Sequence, residues 1–474
     1  MTELRTVVPD DVSCAIVTSC LLRPVAPRAL RQLCDAIGGR ISGTDQGRAA
    51  EEWGIEWFRA VGLDQIATET FEVPVWERGE LTAEVIGRSG WQLHALAHGF
   101  APAFCDIPCE LVDAGHGMPD DYQRLGEQTK GKVVLCDEGA PAGKRTPHRT
   151  EKLKWALDHG AAGLLIGSSA PGCLPRTGVC HATGSPIPSL GISNEDMLRL
   201  RRLLEDGMAS TLRIHMRNKV FIGRARNVVA EIPATNADAG FVLTGAHLDS
   251  WDVSQGATDN GLGCAIVLQA AAALARCGRR PRRTIRFCFW AAEETGLRGS
   301  KHYVSQHQEE LERIAAVMNF DMTGDPYAFW TPGRPEGHPL LRDLASALGT
   351  IGMTTDVQSS PSLHSDHQPF MLAGVPVVGL AARLAEGGGG HFYHSAGDTF
   401  EKVSIPALCR AAVVAAHALW LLANAPEPLF KRMSAEEVTE MIDEAGLREA
   451  VEAEQDPGNV PDSSGRITAV YGHK

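Results

Sequence analysis

Three apolar runs in the middle of the chain each end on side chains that bind metal ions, and this arrangement restricts the fold more than any other feature. FVLTGAH (241–247) runs into His247 and Asp249, TIRFCFWAAEE (284–294) into Glu293 and Glu294, and AAVMNFD (315–321) into Asp321. Short apolar runs rich in β-branched and aromatic residues read as buried strands. Helical stretches lie between them, such as the alanine-rich Cys264 to Leu274. Strands alternating with helices describe an α/β sheet, and polar residues collected at strand ends describe a site on one sheet edge. His247 and Asp249 stand two apart, so both face one side of a strand. Asp259 follows ten residues later, beside Asn260 and Gly261 and just before the next helix.

A chain of 474 residues is too long for one ordinary domain, so two are expected. Residues 81–217 differ from the rest. They hold short strands (LVDAG, KVVLCD, AGLLIG), a helix over 150–160 and frequent Gly and Pro, but no clustered ligand spacing. They read as an inserted small α/β domain. That leaves 1–80 and 218–430 as two parts of one catalytic domain, and 431–474 as a C-terminal helix and tail. ETFEVPVWERGE (69–80) reads as a strand that stops at Gly79, and a helix over 48–61 turns Trp53 and Trp57 to the core. Ala435 to Glu454 reads as one charged helix before a loosely ordered tail with Pro457, Pro461 and Gly465.

The balance of 45 basic against 58 acidic residues gives −13, which argues against nucleic acid as the main partner. Twelve cysteines include no CxxC pair. They are expected to be small buried hydrophobes in a reducing compartment, with Cys173 and Cys180 the two that would pair if the protein were exported. MTELRTVVPDD lacks a basic segment followed by an apolar one. No signal peptide is therefore expected, and the location is cytoplasmic, or secreted if the N-terminus is processed or incomplete. Ala407 to Ala425 is apolar but contains Arg410 and His417. It reads as a buried helix capped by Ser404, with Pro406 in its first turn, and not as a membrane span.

His247, Asp249, Asp259, Glu293, Glu294, Asp321 and His394 form a nitrogen and oxygen ligand set without thiolate, which suits zinc and related divalent ions. Two histidines and three acids suffice for two metals sharing one carboxylate. Glu293 and Glu294, adjacent at a turn, aim in different directions, so one is available to a metal while the other moves a proton.

The ordered stretches GAHLDS, GATDNG, AAEETGLRGS, NFDMTG and FYHSAGDT resemble the co-catalytic zinc exopeptidases of the M28 family, over about residues 29–425. VPVWERGE and the inserted region are similar to a dipeptide-hydrolysing branch of that family. The resemblance implies a mixed-sheet α/β sandwich of the phosphorylase/hydrolase-like kind with an inserted protease-associated domain. It implies two Zn2+ per chain, held by His247, Asp259, Glu294, Asp321 and His394 with Asp259 as the bridge. It makes Asp249 the acid that orients His247, Glu293 the general base acting on a metal-bridging water, and Asp259–Asn260 a cis peptide bond. The substrate it implies is a dipeptide or short unblocked peptide, cleaved as a dipeptidase, aminopeptidase or carboxypeptidase. Tyr393 is a candidate for holding the oxyanion. His364, Asp366 and His367 of SLHSDHQPF are candidates for lining the substrate pocket, and Arg383 for pairing with a substrate carboxylate. Two alternatives stay open: a single-zinc acyltransferase of the glutaminyl-cyclase kind, and a peptidase fold that only binds. A homodimer also stays open.

Overall fold

The computed structural model describes residues 8–87, 90–181, 183–208, 211–384 and 389–454. The chain forms two compact units: Met1–Val73, Gly223–Tyr393 and Asp398–Leu447 in the first; Pro74–Ile222, His394–Gly397 and the stretch from Arg448 in the second. The expected tail with Pro457, Pro461 and Gly465 lies outside the described residues.

β1 (Gln65–Ile86) begins in the first unit and continues into the second. It does not stop at Gly79 as the sequence suggests. The glycine serves close approach: a Cβ there would overlap the Arg217 carbonyl of the strand beside it. The second unit goes on with β2 (Ala95–Ala97), β3 (Phe104–Asp113), β4 (Val133–Asp137), β5 (Gly163–Gly167), β6 (Ser189–Ile192) and the first half of β7 (Thr211–Ile232). Their order is β7-β3-β4-β5-β6-β2. β3 to β6 are mutually parallel, with β7 and β2 antiparallel at the two ends. The runs in β4 and β5 are buried almost throughout, as a strand covered on both faces requires. Tyr122, Leu125, Leu153 and Ala156, from the helices Pro119–Leu125 and Arg149–Asp158, join Val134, Leu164 and Ile166 in one core.

In the first unit the second half of β7 pairs antiparallel with β9 (Thr284–Trp290). β9, β8 (Phe241–His247), β10 (Ile314–Asn319) and β13 (Val377–Arg383) are parallel neighbours in the order β13-β10-β8-β9. β11 (Asp325–Trp330) pairs antiparallel with β13, and β12 (Val357–Gln358) lies beyond it. Two apolar helices share one core with the inner strands. Leu262–Ala275 is buried from Leu262 to Leu274, and Ile405–Asn424 is buried over most of its length. The second is the only helix among the described residues long and apolar enough to cross a membrane, and it lies inside the protein. Ser404 caps it by accepting from Ala407 N, with Pro406 in its first turn.

Trp53, on the Asp45–Ala60 helix, is buried with its ring 5.7 Å from Phe289, while Trp57 is half-buried and donates to Gln32. The charged C-terminal segment is two helices, Ala435–Glu444 and Arg448–Glu454, and not the single helix expected. Gly446 between them takes φ +66°, where a helix ends rather than continues. All twelve cysteines are free thiols and most are buried; Cys173 is exposed and Cys180 buried, and they are not joined.

Candidate metal and active site

β8, β9 and β10 are parallel, so their C-terminal ends share one edge of the sheet. His247 is the last residue of β8, Glu293 and Glu294 follow the end of β9 at Trp290, and Asp321 follows the end of β10 at Asn319. His247 is buried at the centre of this group. Its Nε2 lies 3.1 Å from Asp259 Oδ1, 3.5 Å from Asp321 Oδ1 and 4.0 Å from Glu293 Oε2. Ligand atoms gather in two groups, each with all its atoms within 4.8 Å of one another: His247, Asp259 and Asp321; and Asp259, Glu294 and His394. Asp259 belongs to both.

Asp249 has different contacts from those expected of it. Its Oδ1 accepts from Glu293 N at 3.1 Å and its Oδ2 from Glu294 N at 3.2 Å. The carboxylate stays 3.8 Å from His247 Nδ1, which is closer, at 3.1 Å, to the main-chain carbonyl of Asp249. Asp249 thus fixes the turn that carries both glutamates, and its backbone orients the imidazole.

Several supporting residues are not evident from the sequence. Asp398, buried, accepts from Thr258 N at 2.8 Å and from Asp259 N at 3.1 Å, which fixes the backbone of the shared acid. It stands in the HSAGDT stretch, four residues after His394, and that spacing is the one available signal. Asn260 donates to Phe320 O at 2.8 Å and accepts from Gly263 N and Met322 N at 3.1 and 3.2 Å, tying the Asp259 turn to the segment around Asp321. The Asp259–Asn260 bond is cis. Gly263 has no room for a side chain, because a Cβ would overlap Phe320 O and the Asn260 amide.

Arg40 is fully buried. Its guanidinium donates to the carbonyls of Leu248 (2.6 Å), Gln255 (2.7 Å), Gly256 (2.9 Å) and Gly38 (3.0 Å). It therefore holds the loop between His247 and Asp259 entirely by its main chain. Gly256 in that loop has φ +55° and would overlap Ser250 if it carried a Cβ.

The electrostatics reflect crowded acids. Burial pushes the His247 imidazole down, but Glu293, Asp321 and Asp259 overcome this and hold it well above its ordinary value. Burial pushes Glu293 up. Asp321, Asp366 and Glu294 push it further, and His247 offsets only part of the rise. Asp366 is fully buried, with Oδ1 accepting from Ser300 Oγ at 2.5 Å and Oδ2 without a hydrogen-bond partner. Burial, with Asp249 and Asp321, pushes it up to about 7 against His247 and Ser300. Carboxyl groups held above their ordinary values, by burial first and by one another's charge second, form a site that a divalent cation relieves. The donor set, imidazole and carboxylate, fits zinc.

The remaining candidates take separate positions. Tyr393 is half-buried and precedes His394. His364 has φ +67°, and its backbone N–H donates to Gln368. His367 is buried, bonded through Nε2 to Ser362 O at 2.9 Å and set edge-on to Trp330. Arg383 is exposed at the end of β13, over the Tyr327 ring.

Residues 227–419 match the model of peptidase family M28, and residues 102–200 that of the PA domain. Carboxypeptidase Q of Homo sapiens is 28% identical over 432 residues, covering 88% of this chain and 90% of that one. The crystal structure of a peptidase M28 precursor from Shewanella amazonensis SB2B superposes with a TM-score of 0.79 at 25% identity, over 90% of this chain and 99% of that one. BSAP, a zinc aminopeptidase from Bacillus subtilis, superposes with a TM-score of 0.65 at 25% identity, over 86% of this chain and 97% of that one. Fold, edge-clustered ligand set and relatives agree: the chain carries a peptidase M28 domain over residues 227–419 and a PA domain over residues 102–200, and it is a zinc-dependent exopeptidase of the M28 type.

Proposed function

We propose that the chain hydrolyses dipeptides and other short unblocked peptides with two zinc ions bound. His247, Asp259 and Asp321 would hold one ion, and Asp259, Glu294 and His394 the other. The observation that carries this reading is the membership of Asp259 in two ligand groups. Zinc, when bound, polarises a carbonyl and acidifies water.

The chain's own residues move the proton. Glu293 is largely buried, and its backbone N–H is fixed by the Asp249 carboxylate. It takes the proton of the attacking water and delivers it to the leaving amine. Tyr393, beside His394 in the chain, donates toward the oxyanion in this reading. His364 and His367 border the substrate, with Ser362 and Trp330 holding the His367 ring. Likeness to a carboxypeptidase and to an aminopeptidase is reconciled by a dipeptide, whose one peptide bond is first and last at once.

The test is a dipeptide panel with free, N-blocked and C-blocked members, run with zinc and after chelation, beside metal analysis. Two zinc per chain and cleavage of the free dipeptide, lost on chelation and reduced by either block, are expected. One tightly bound zinc, or no cleavage of any member, overturns the reading.

A further inference from the structure

Arg383 closes β13, which runs parallel to β10, so it lies on the same sheet edge as His247 and Asp321. Its main chain packs against Gly324, where a Cβ would sit 2.6 Å from the Arg383 carbonyl. Gly324 is three residues along from Asp321, at most about 10 Å of extended chain. The acid opposite Arg383 in the β11–β13 register is Asp325, its natural partner. That carboxylate is already engaged, since Asp325 Oδ1 accepts from Arg410 Nη2 at 2.6 Å and Nε at 3.2 Å.

Among the described residues Arg383 has no carboxylate partner. Its guanidinium lies over the Tyr327 ring instead, 4.7 Å from the centroid. Tyr327 is itself held, its hydroxyl accepting from Gln358 Nε2 at 3.1 Å. An exposed guanidinium seated on an aromatic face keeps its N–H fork unspent, and the ligand that fits this fork is a planar, two-oxygen anion.

We infer that Arg383 binds the free α-carboxylate of the substrate's C-terminal residue and so sets the preference for unblocked C-termini. This rests on the exopeptidase reading above. Arg383 is a specificity residue: it binds one end of the substrate and takes no part in bond cleavage. Arg410 serves it indirectly, by occupying Asp325.

The experiment compares kcat/KM for a dipeptide and for its C-terminal amide, using zinc-loaded wild type, Arg383→Gln, Arg383→Lys and Arg410→Gln. Wild type is expected to favour the free carboxylate. Arg383→Gln should lose roughly 10- to 100-fold on the free dipeptide, the loss of a hydrogen bond between charged groups, mostly through KM. Its activity on the amide, which offers the guanidinium one neutral oxygen, should fall far less, and an unchanged urea unfolding midpoint shows that the variant folds. Arg383→Lys keeps the charge without the fork and should fall between. Arg410→Gln frees Asp325 to pair with Arg383 and should lower the same preference. A free-to-amide ratio that is equal in wild type and Arg383→Gln overturns the inference. So does a wild type that cleaves both peptides equally, which leaves the exopeptidase reading standing. A wild type that cleaves neither removes that reading and the inference with it.

Discussion

Replacing Asp249 separates what its carboxylate does from what its backbone does. The carboxylate accepts from Glu293 N and Glu294 N at 3.1 and 3.2 Å, in a site where Asp249 is buried. Asp249→Ala removes both acceptors and leaves two N–H donors without partners. Each unsatisfied buried donor costs about 1–3 kcal/mol, so the pair should cost about 2–6 kcal/mol. Asp249→Asn keeps one acceptor and turns an amide N–H₂ toward the other donor, for about half that loss. Two charge effects oppose each other: burial holds the Asp249 carboxyl above its ordinary value, so losing the charge lifts a desolvation cost, but it also removes a partner for His247, whose charge steadies Asp249. The net loss should therefore fall toward the lower end of that range. The assay is urea unfolding of the metal-free proteins by tryptophan fluorescence, with kcat measured on the zinc-loaded forms. The order wild type, Asn, Ala should hold for both stability and kcat, because the turn carrying Glu293 loosens in steps. Zinc binding through His247 should change less, since Nδ1 keeps the Asp249 main-chain carbonyl at 3.1 Å. If Asn and Ala match each other and stay within about 1 kcal/mol of wild type, the typical net value of one hydrogen bond, the carboxylate is not holding the turn.

Glu293→Gln should lower kcat by about 10²–10⁴-fold, the usual contribution of a positioned base, with zinc content unchanged by elemental analysis; near-full activity would remove Glu293 from the proton path. Arg40→Met leaves three loop carbonyls, and that of Gly38, without their donor and should lower stability by about 3 kcal/mol or more, since each buried acceptor left unpaired costs about 1–3 kcal/mol. An unchanged urea midpoint would count against the loop being held from that side. The metal-free site should release protons as zinc binds, because His247 and Glu293 both stand above their ordinary values, so affinity should rise with pH. Titration calorimetry in buffers of different ionisation enthalpy reads this directly, and buffer-independent heats would contradict it. His307 is raised by its hydrogen bond to Glu69 at 2.8 Å, against burial, with Glu69 and Glu310 charges adding. A raised histidine stabilises fully below its ordinary value of 6.5 and loses that contribution as pH climbs through the folded value. The wild-type unfolding midpoint should therefore fall over that climb, and His307→Gln should remove that component of the fall.

The ligand-type residues were legible because metal and proton chemistry restrict which side chains can serve, and the strands put them at their own ends. Their supports were not, because main-chain groups carry no signature in a sequence. Arg40 reads as one basic residue in a glycine-rich loop until four carbonyls, three of them far along the chain, are seen to converge on it. Asp398 reads as a turn acid until Thr258 N and Asp259 N point at it. Glycine misled in both directions for one reason: its role depends on what lies beside it. Gly79 sits inside a strand to let Arg217 pass, while Gly446 divides what looks like a continuous charged helix. The loop that delivers Asp259 is thus gripped on its carbonyls by Arg40, on its N–H groups by Asp398, and through Asn260 to the chain around Asp321. Those three grips share no residue type or spacing, yet each removes freedom from the same short loop. A site that must hold like charges together cannot rely on its ligands for order when the cation is absent, so the order has to come from groups that bind only backbone.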